Sequence, residues 1–396
     1  MALTRIILPL VWNVSKLEKN GSILGNSDTF ACVSRVGSAM EMWWIAQDGS
    51  IKGRFWEEGF KFWAPSTQND PNKQGDPYTL APPGSAGTGN TGALGLTALS
   101  RDAYSMDVFW ITPNGDVVGK GWNYDPFTKK GGWTTDHFVA SKSAKGPIAA
   151  VSRHADNIEI VFVGTDLSIQ ACYWNKGRPW TDGAGPHLLA DKKTVSQFSG
   201  IGITSRNRDS FDAFWHPMYG NDVSVFRWSQ YANPQFKTFN LHADERPESQ
   251  LPNGSKITVI VNNSSSMVWW ISKGERVWNG IGDDYDWQVP HLPLIATVPK
   301  PNSSWTTVIS HDSAIKAVYF SHGIWFCWIK TDGAVMGRIF KPTKNYVSEE
   351  TYQIAPPGSA GRNQLFAISR KPNTIEMFWT GSDNSIWNAK CDVGVS

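Results

Sequence analysis

Five stretches of the chain hold a serine, an arginine and an acid in one register: SRVGSAME from Ser34, SRDAYSMD from Ser100, SRHADNIE from Ser152, SRNRDSFD from Ser205 and SRKPNTIE from Ser369. The arginines are Arg35, Arg101, Arg153, Arg206 and Arg370, and the acids, seven residues after each serine, are Glu41, Asp107, Glu159, Asp212 and Glu376. A guanidinium and a carboxylate at fixed spacing can pair bidentately across a hairpin and hold it. They can equally offer a donor and an acceptor to the hydroxyls of a polar ligand, and one pair can serve both ends. Hydrolysis of a glycoside would need something else, two carboxylates with different roles, one with a raised pKa. Such a pair is unique in a molecule, whereas this constellation recurs. No G-x-S-x-G elbow, H-E-x-x-H or phosphate-binding loop is present, so no enzyme, cofactor or metal is expected.

The elements that position these residues are strands. Each acid is followed by bulky residues, such as Trp43-Trp44, Phe109-Trp110, Phe214-Trp215 and Phe378-Trp379. In a strand, one member of each pair faces each side of the sheet. Apolar and polar residues then alternate around Asp-Gly or Asn-Gly type turns, the strongest short-range hairpin signal. The turns fall at Asp48, Asn114, Asp166, Asn221, Gly274, Asp332 and Asp383, between 51 and 66 residues apart, a period of one four-stranded unit. A fourth strand closes most units (YTLAPPG, DHFVAS, PHLLAD, KTFNLH, WQVPHL, YQIAPPG), and the seventh lacks one. The spare N-terminal stretch RIILPLV can supply it, which is how a propeller closes its ring.

The sequence therefore predicts an all-β fold, a seven-bladed β-propeller filling residues 1–396 as a single domain, with a six-bladed ring as the alternative. The fifth and sixth repeats, NNSSSMVWWISKGERVW and FSHGIWFCWIKTDG, have lost the Ser-Arg pair and the acid; Val268 and Lys316 lie near where an acid would stand.

Composition narrows the function. Forty per cent hydrophobic and 18% charged residues are ordinary for a globular chain, but 21 tryptophans in 396 residues ask for a use beyond core filling. A net charge of +2 without a basic block does not recommend a nucleic-acid surface. Cys32, Cys172, Cys327 and Cys391 are far apart, without metal-ligand spacing. No apolar run is long enough for a membrane helix, and MALTRIILPLVW lacks the features of a signal peptide. A cytoplasmic location, or release without a signal, is expected.

The combination of APPGSAG (81–87 and 355–361), SR…MDVFWI…NG and a Trp-ended third strand resembles the fungal β-propeller lectins with fucose-lectin-like repeats. Within them it is most similar to the N-acetylglucosamine-specific propeller lectins of Agrocybe mushrooms. The resemblance implies a multivalent, non-catalytic agglutinin whose partners are glycans and glycoproteins with exposed terminal sugars; homodimer formation stays open. The related Aleuria-type fucose-binding propellers use a second-strand side chain seven residues before the turn to reach the sugar, and most of the acids here stand at that offset. The implied sites are crevices between blades. There Ser34, Arg35, Glu41, Ser100, Arg101, Asp107, Ser152, Arg153, Glu159, Ser205, Arg206, Asp212, Ser369, Arg370 and Glu376 meet the third-strand tryptophans Trp56, Trp122, Trp174, Trp228 and Trp387. A flat indole suits the C–H face of a pyranose. A fucose-binding lectin and a protein-interaction propeller remain the alternatives, although no WD-type framing is present.

Overall fold

The computed structural model describes residues 10–26, 28–67, 70–89, 93–195, 200–218, 223–232, 234–241, 256–262, 265–271, 277–282, 287–288, 314–341, 346–347 and 351–393. The chain forms seven antiparallel blades, with a small hairpin (Ser66–Thr67 with Asp70–Gln74) inserted in the first. We number the blades in chain order by their second strands: Ala39–Ile45, Ser105–Ile111, Asn157–Gly164, Ser210–Trp215, Ser265–Ile271, Gly323–Ile329 and Thr374–Gly381. The inner strands stand side by side in a closed ring, blade 7 returning to blade 1. This is the seven-bladed propeller expected, rather than the six-bladed alternative. Two of the expected turns, Asn221 and Gly274, lie outside the described residues.

Blade packing explains the composition. Every residue of the second strands of blades 1 and 2 is buried, because each second strand is covered on both faces by neighbouring blades. The described apolar core falls into seven clusters, each shared by two adjacent blades. Trp43 belongs to the cluster between blades 1 and 2, and Trp44 to that between blades 7 and 1. The adjacent bulky residues are thus wedges facing opposite ways, as period two requires. All four cysteines are buried.

The ring closes as the sequence implies but not where it suggests. The fourth strand of blade 7 is Asn13–Glu18, antiparallel to Ile386–Asp392, rather than RIILPLV. Residues 5–9 of that stretch lie outside the described residues, and Leu10 and Val11 are not in a strand. The physical reason is that an outermost strand needs little apolar character: the first four residues of Asn13–Glu18 are exposed. Buried Glu18 pairs with Arg54 of blade 1, and Trp12 packs on Trp325, ring centroids 5.2 Å apart. Both contacts pin the closing segment to the blades on either side of blade 7.

Candidate functional site

Each Ser-Arg pair ends an inner strand and leads into the hairpin to the second strand, and in blades 1, 2 and 4 the strand register shifts there. Such a bulge frees backbone groups from the ladder. The serine answers one of them: the hydroxyls of Ser34, Ser100, Ser152, Ser205 and Ser369 donate to the carbonyls of Val36, Asp102, His154, Asn207 and Lys371 at 2.7–2.9 Å. The serines therefore hold the turn from which the arginine projects.

The arginine reaches in two directions. Within its own blade, Arg35 donates to Glu41 (2.7 Å), Arg101 to Asp107 (2.6 Å), Arg153 to Glu159 (3.0 Å) and Arg370 to Glu376 (3.0 Å). Across the crevice, Nη1 of the same four donates to a carbonyl in the corresponding turn of the next blade: Ala103, Ala155, Arg208 and Gly37. Their guanidinium carbons also lie over the next blade's third-strand indoles: Arg35 on Trp122 at 4.3 Å, Arg101 on Trp174 at 5.5 Å, Arg153 on Trp228 at 4.6 Å and Arg370 on Trp56 at 4.4 Å. The working unit is thus an arginine and an acid from one blade with a tryptophan from the next. The repeat read within itself would group Arg35 with Trp56 instead.

Strand register corrects three positions. Trp56, Trp122, Trp174 and Trp228 sit opposite the residue that precedes the acid (Met40, Met106, Ile158, Phe211). In blade 7 that place belongs to buried Cys391, opposite Ile375, while Trp387 sits opposite Trp379. Trp387 is stacked on Trp379 under the Lys16 ammonium and lines none of the arginine crevices. In blades 5 and 6 the acid's place is taken by Met267 and Trp325, not by Val268 and Lys316; their partners Ile281 and Ile339 correspond to Phe55 opposite Glu41. The crevice between blades 6 and 7 is filled by Trp325 and Cys391 in one apolar cluster.

The five Arg-acid pairs are not equivalent. Side-chain exposure of the arginine is 10–12% in the 1/2, 2/3 and 3/4 crevices, 3% at 7/1 and 0% at 4/5. At 4/5 the Asp212 carboxylate is fully engaged. Arg206 and Arg227 lie 3.0 and 2.9 Å away, and Ser266 of blade 5 donates at 2.6 Å. Blade 5 presents Gly282, opposite Ser266, where a tryptophan would stand. At 7/1, Trp63 from the blade 1 insertion packs edge-on against Phe378, and Lys371 pairs with Glu58 across the two blades.

Two of the three more exposed crevices enclose a defined volume. The 2/3 crevice encloses 370 Å³ and is lined by Arg101, Asp107, Asn123, Thr134, His137 and Trp174, among others. The 3/4 crevice encloses 490 Å³ around Arg153, Glu159 and Trp228, with an apolar outer wall including Leu188, Phe226 and Phe236. Burial raises the carboxyls of Glu41, Asp107 and Glu159 above the ordinary acid range, outweighing the opposing pull of their arginines. Asn123, Thr134, His137, Tyr173 and Phe236 were not legible as site residues. Only the parity of Asn123, next to Trp122 and hence on the opposite face, signalled its place.

No protein-family model matches the chain, and no curated protein matches it in sequence. Solved structures do. The chain is similar to the BP39L lectin of Burkholderia pseudomallei (TM-score 0.68, 12% identity, covering 91% of this chain and 96% of that one). It is also similar to AofleA of Arthrobotrys oligospora (TM-score 0.55, 17% identity, 88% and 90%), solved as well in a form with three arginines replaced by alanine. At these identities the likeness is one of fold.

Proposed function

We propose that the chain is a multivalent, non-catalytic lectin that binds the terminal sugars of glycans in the three open crevices. The observation that carries this reading is the arginine, acid and tryptophan brought together from two blades around each opening. The guanidinium is fixed by its acid and by the next turn, so its donors are preorganised. The carboxylate supplies acceptor oxygen; Glu41 Oε2, buried, has no hydrogen-bond partner among the described residues. The indole supplies the flat apolar wall that a pyranose C–H face requires. A site built to hydrogen-bond hydroxyls discriminates strongly against ligands that lack them. Repetition favours avidity over catalysis: linked weak sites engaging clustered glycan ends strengthen binding by about 10²–10⁴.

For the sugar itself we propose terminal N-acetylglucosamine, which rests only on the resemblance of the repeats to the N-acetylglucosamine-specific propeller lectins. Calorimetric titration with N-acetylglucosamine and with methyl α-fucoside tests both levels. The reading expects weak binding of the first at three equivalents per chain. Binding of the fucoside alone would change the sugar and keep the lectin; binding of neither, with no glycan retained on an array, would remove the lectin.

A further inference from the structure

Blade 2 carries a surface feature that the crevice triads do not use. Trp122, the indole under Arg35 in the 1/2 crevice, is followed two residues later by Tyr124, and the rings are near-parallel (11°) with centroids 6.0 Å apart. Tyr124 is followed in turn by Tyr104 at 6.2 Å and 16°. Tyr124, two residues after Trp122, shares its face of the strand, and both tyrosines also border the 2/3 crevice at the rim. The three rings therefore run in a row from the 1/2 crevice along the rim of blade 2.

The row is held in place by its backbone. Asp102 Oδ1 accepts from the Tyr104 amide (2.8 Å) and from Ser105 Oγ (2.7 Å), and the Tyr124 amide donates to the Tyr104 carbonyl at 2.8 Å. Tyr104 is nevertheless 49% exposed, and Phe127, in the turn after the strand that carries Tyr124, is 94% exposed. Neighbouring blades keep the backbone and change the chemistry. Tyr104 and Tyr124 correspond to Ser38 and Glu58 in blade 1, whose backbones make the matching bond, and to Asp156 and Lys176 in blade 3, which form an ion pair. Aromatic residues at both positions are thus a property of blade 2, not of the fold.

We propose that Trp122, Tyr124 and Tyr104 form an extended subsite for an oligosaccharide, holding the pyranose units next to the terminal one. The inference rests on the lectin reading of the crevices. Near-parallel rings spaced by about one sugar unit offer successive apolar faces for pyranose C–H surfaces, while phenol hydroxyls at the rim remain available to sugar hydroxyls. The rim of blade 2 thereby selects for chain length, which a terminal-sugar site alone does not.

The test is a titration of N-acetylglucosamine, diacetylchitobiose and triacetylchitotriose into the intact protein and into Y104A/Y124A, with Y104F/Y124F as the variant that keeps the rings. In the intact protein one site should bind the trisaccharide more tightly than the monosaccharide, on the order of tenfold. Y104A/Y124A should lose that gain and keep monosaccharide binding at the 3/4 crevice, whose lining includes neither tyrosine, and Y104F/Y124F should retain most of the gain. A trisaccharide bound no better than the monosaccharide, or a gain that survives in Y104A/Y124A, overturns the subsite and leaves the crevices standing. An alanine variant that changes the oligomeric state while oligosaccharide binding persists overturns it as well, making the rim a self-association surface. Failure of the intact protein to bind any of the three removes the N-acetylglucosamine reading together with the subsite.

Discussion

The 2/3 and 4/5 junctions begin from the same residues and end differently. At 2/3, Arg101 and Asp107 sit under an opening, with Trp174 opposite and space enclosed between the blades. At 4/5, Arg206 and Asp212 are wholly buried and the acid is shared with Arg227 and Ser266. The motif itself does not decide between ligand and scaffold; what the neighbouring blade presents decides. A facing tryptophan leaves a slot, whereas Gly282 leaves no wall and Ser266 occupies an acceptor that a ligand would need.

The largest effect that separates the two junctions should fall on stability. Asp212→Asn removes the charge that the Arg206 and Arg227 guanidinium groups share, and removing one partner of a buried ion pair costs about 3–5 kcal/mol. Urea denaturation should show a loss of that order, with sugar stoichiometry intact wherever the variant is folded. Asp107→Asn should show the reverse: about one equivalent of sugar lost, and a stability cost nearer 1–2 kcal/mol, because Arg101 is partly solvated and keeps its bond to Ala155. Equal destabilisation by the two variants would erase the distinction.

The tryptophans sharpen the comparison further. Trp174→Ala should abolish one equivalent of sugar binding, whereas Trp56→Ala, at the sealed 7/1 junction, should lower the melting temperature and leave stoichiometry unchanged.

A smaller effect should appear on acidification. The carboxyls of Glu41, Asp107 and Glu159 titrate above the ordinary range because burial penalises their charge. A raised folded-state pKa means the fold holds the proton more tightly than the unfolded chain does. Acidification through that window therefore stabilises these groups in the fold while it removes the charged acceptors that a sugar would use. The turn acids behave oppositely. Asp48, Asp166 and Asp383 accept from the Ser50, Ser168 and Ser385 amides, and their carboxyls are lowered, Asp383 to about 2. Their stabilisation is present above the ordinary Asp pKa and fades only as pH falls toward these lowered values. Sugar binding, followed by calorimetry from pH 7 downward, should fail before circular dichroism reports unfolding.

Much of this was legible in the sequence, for identifiable reasons. Alternation around the turns fixes the strands, and residues buried on both faces of the second strands appear as unbroken bulky runs. Turn offsets separate the crevice tryptophans from the others. Trp56, Trp122 and Trp174 stand eight residues after their turns, but Trp387 stands four after Asp383, and Trp325 stands seven before Asp332 in the acid's place. The closing strand is not legible from hydrophobicity, because the outer edge strand Asn13–Glu18 is mostly exposed and polar whereas the apolar run beside it is not in a strand where described. The sealing of 4/5 was not legible at all, since Arg227 and Ser266 reach Asp212 from different strands and different blades.

The most direct test is a crystal of the intact protein soaked in N-acetylglucosamine. The account predicts sugar density against Trp122, Trp174 and Trp228, within hydrogen-bond reach of Glu41, Asp107 and Glu159, and none beside Asp212 or Cys391. Sugar in the 4/5 or 6/7 junctions, with the three open crevices empty, would contradict it.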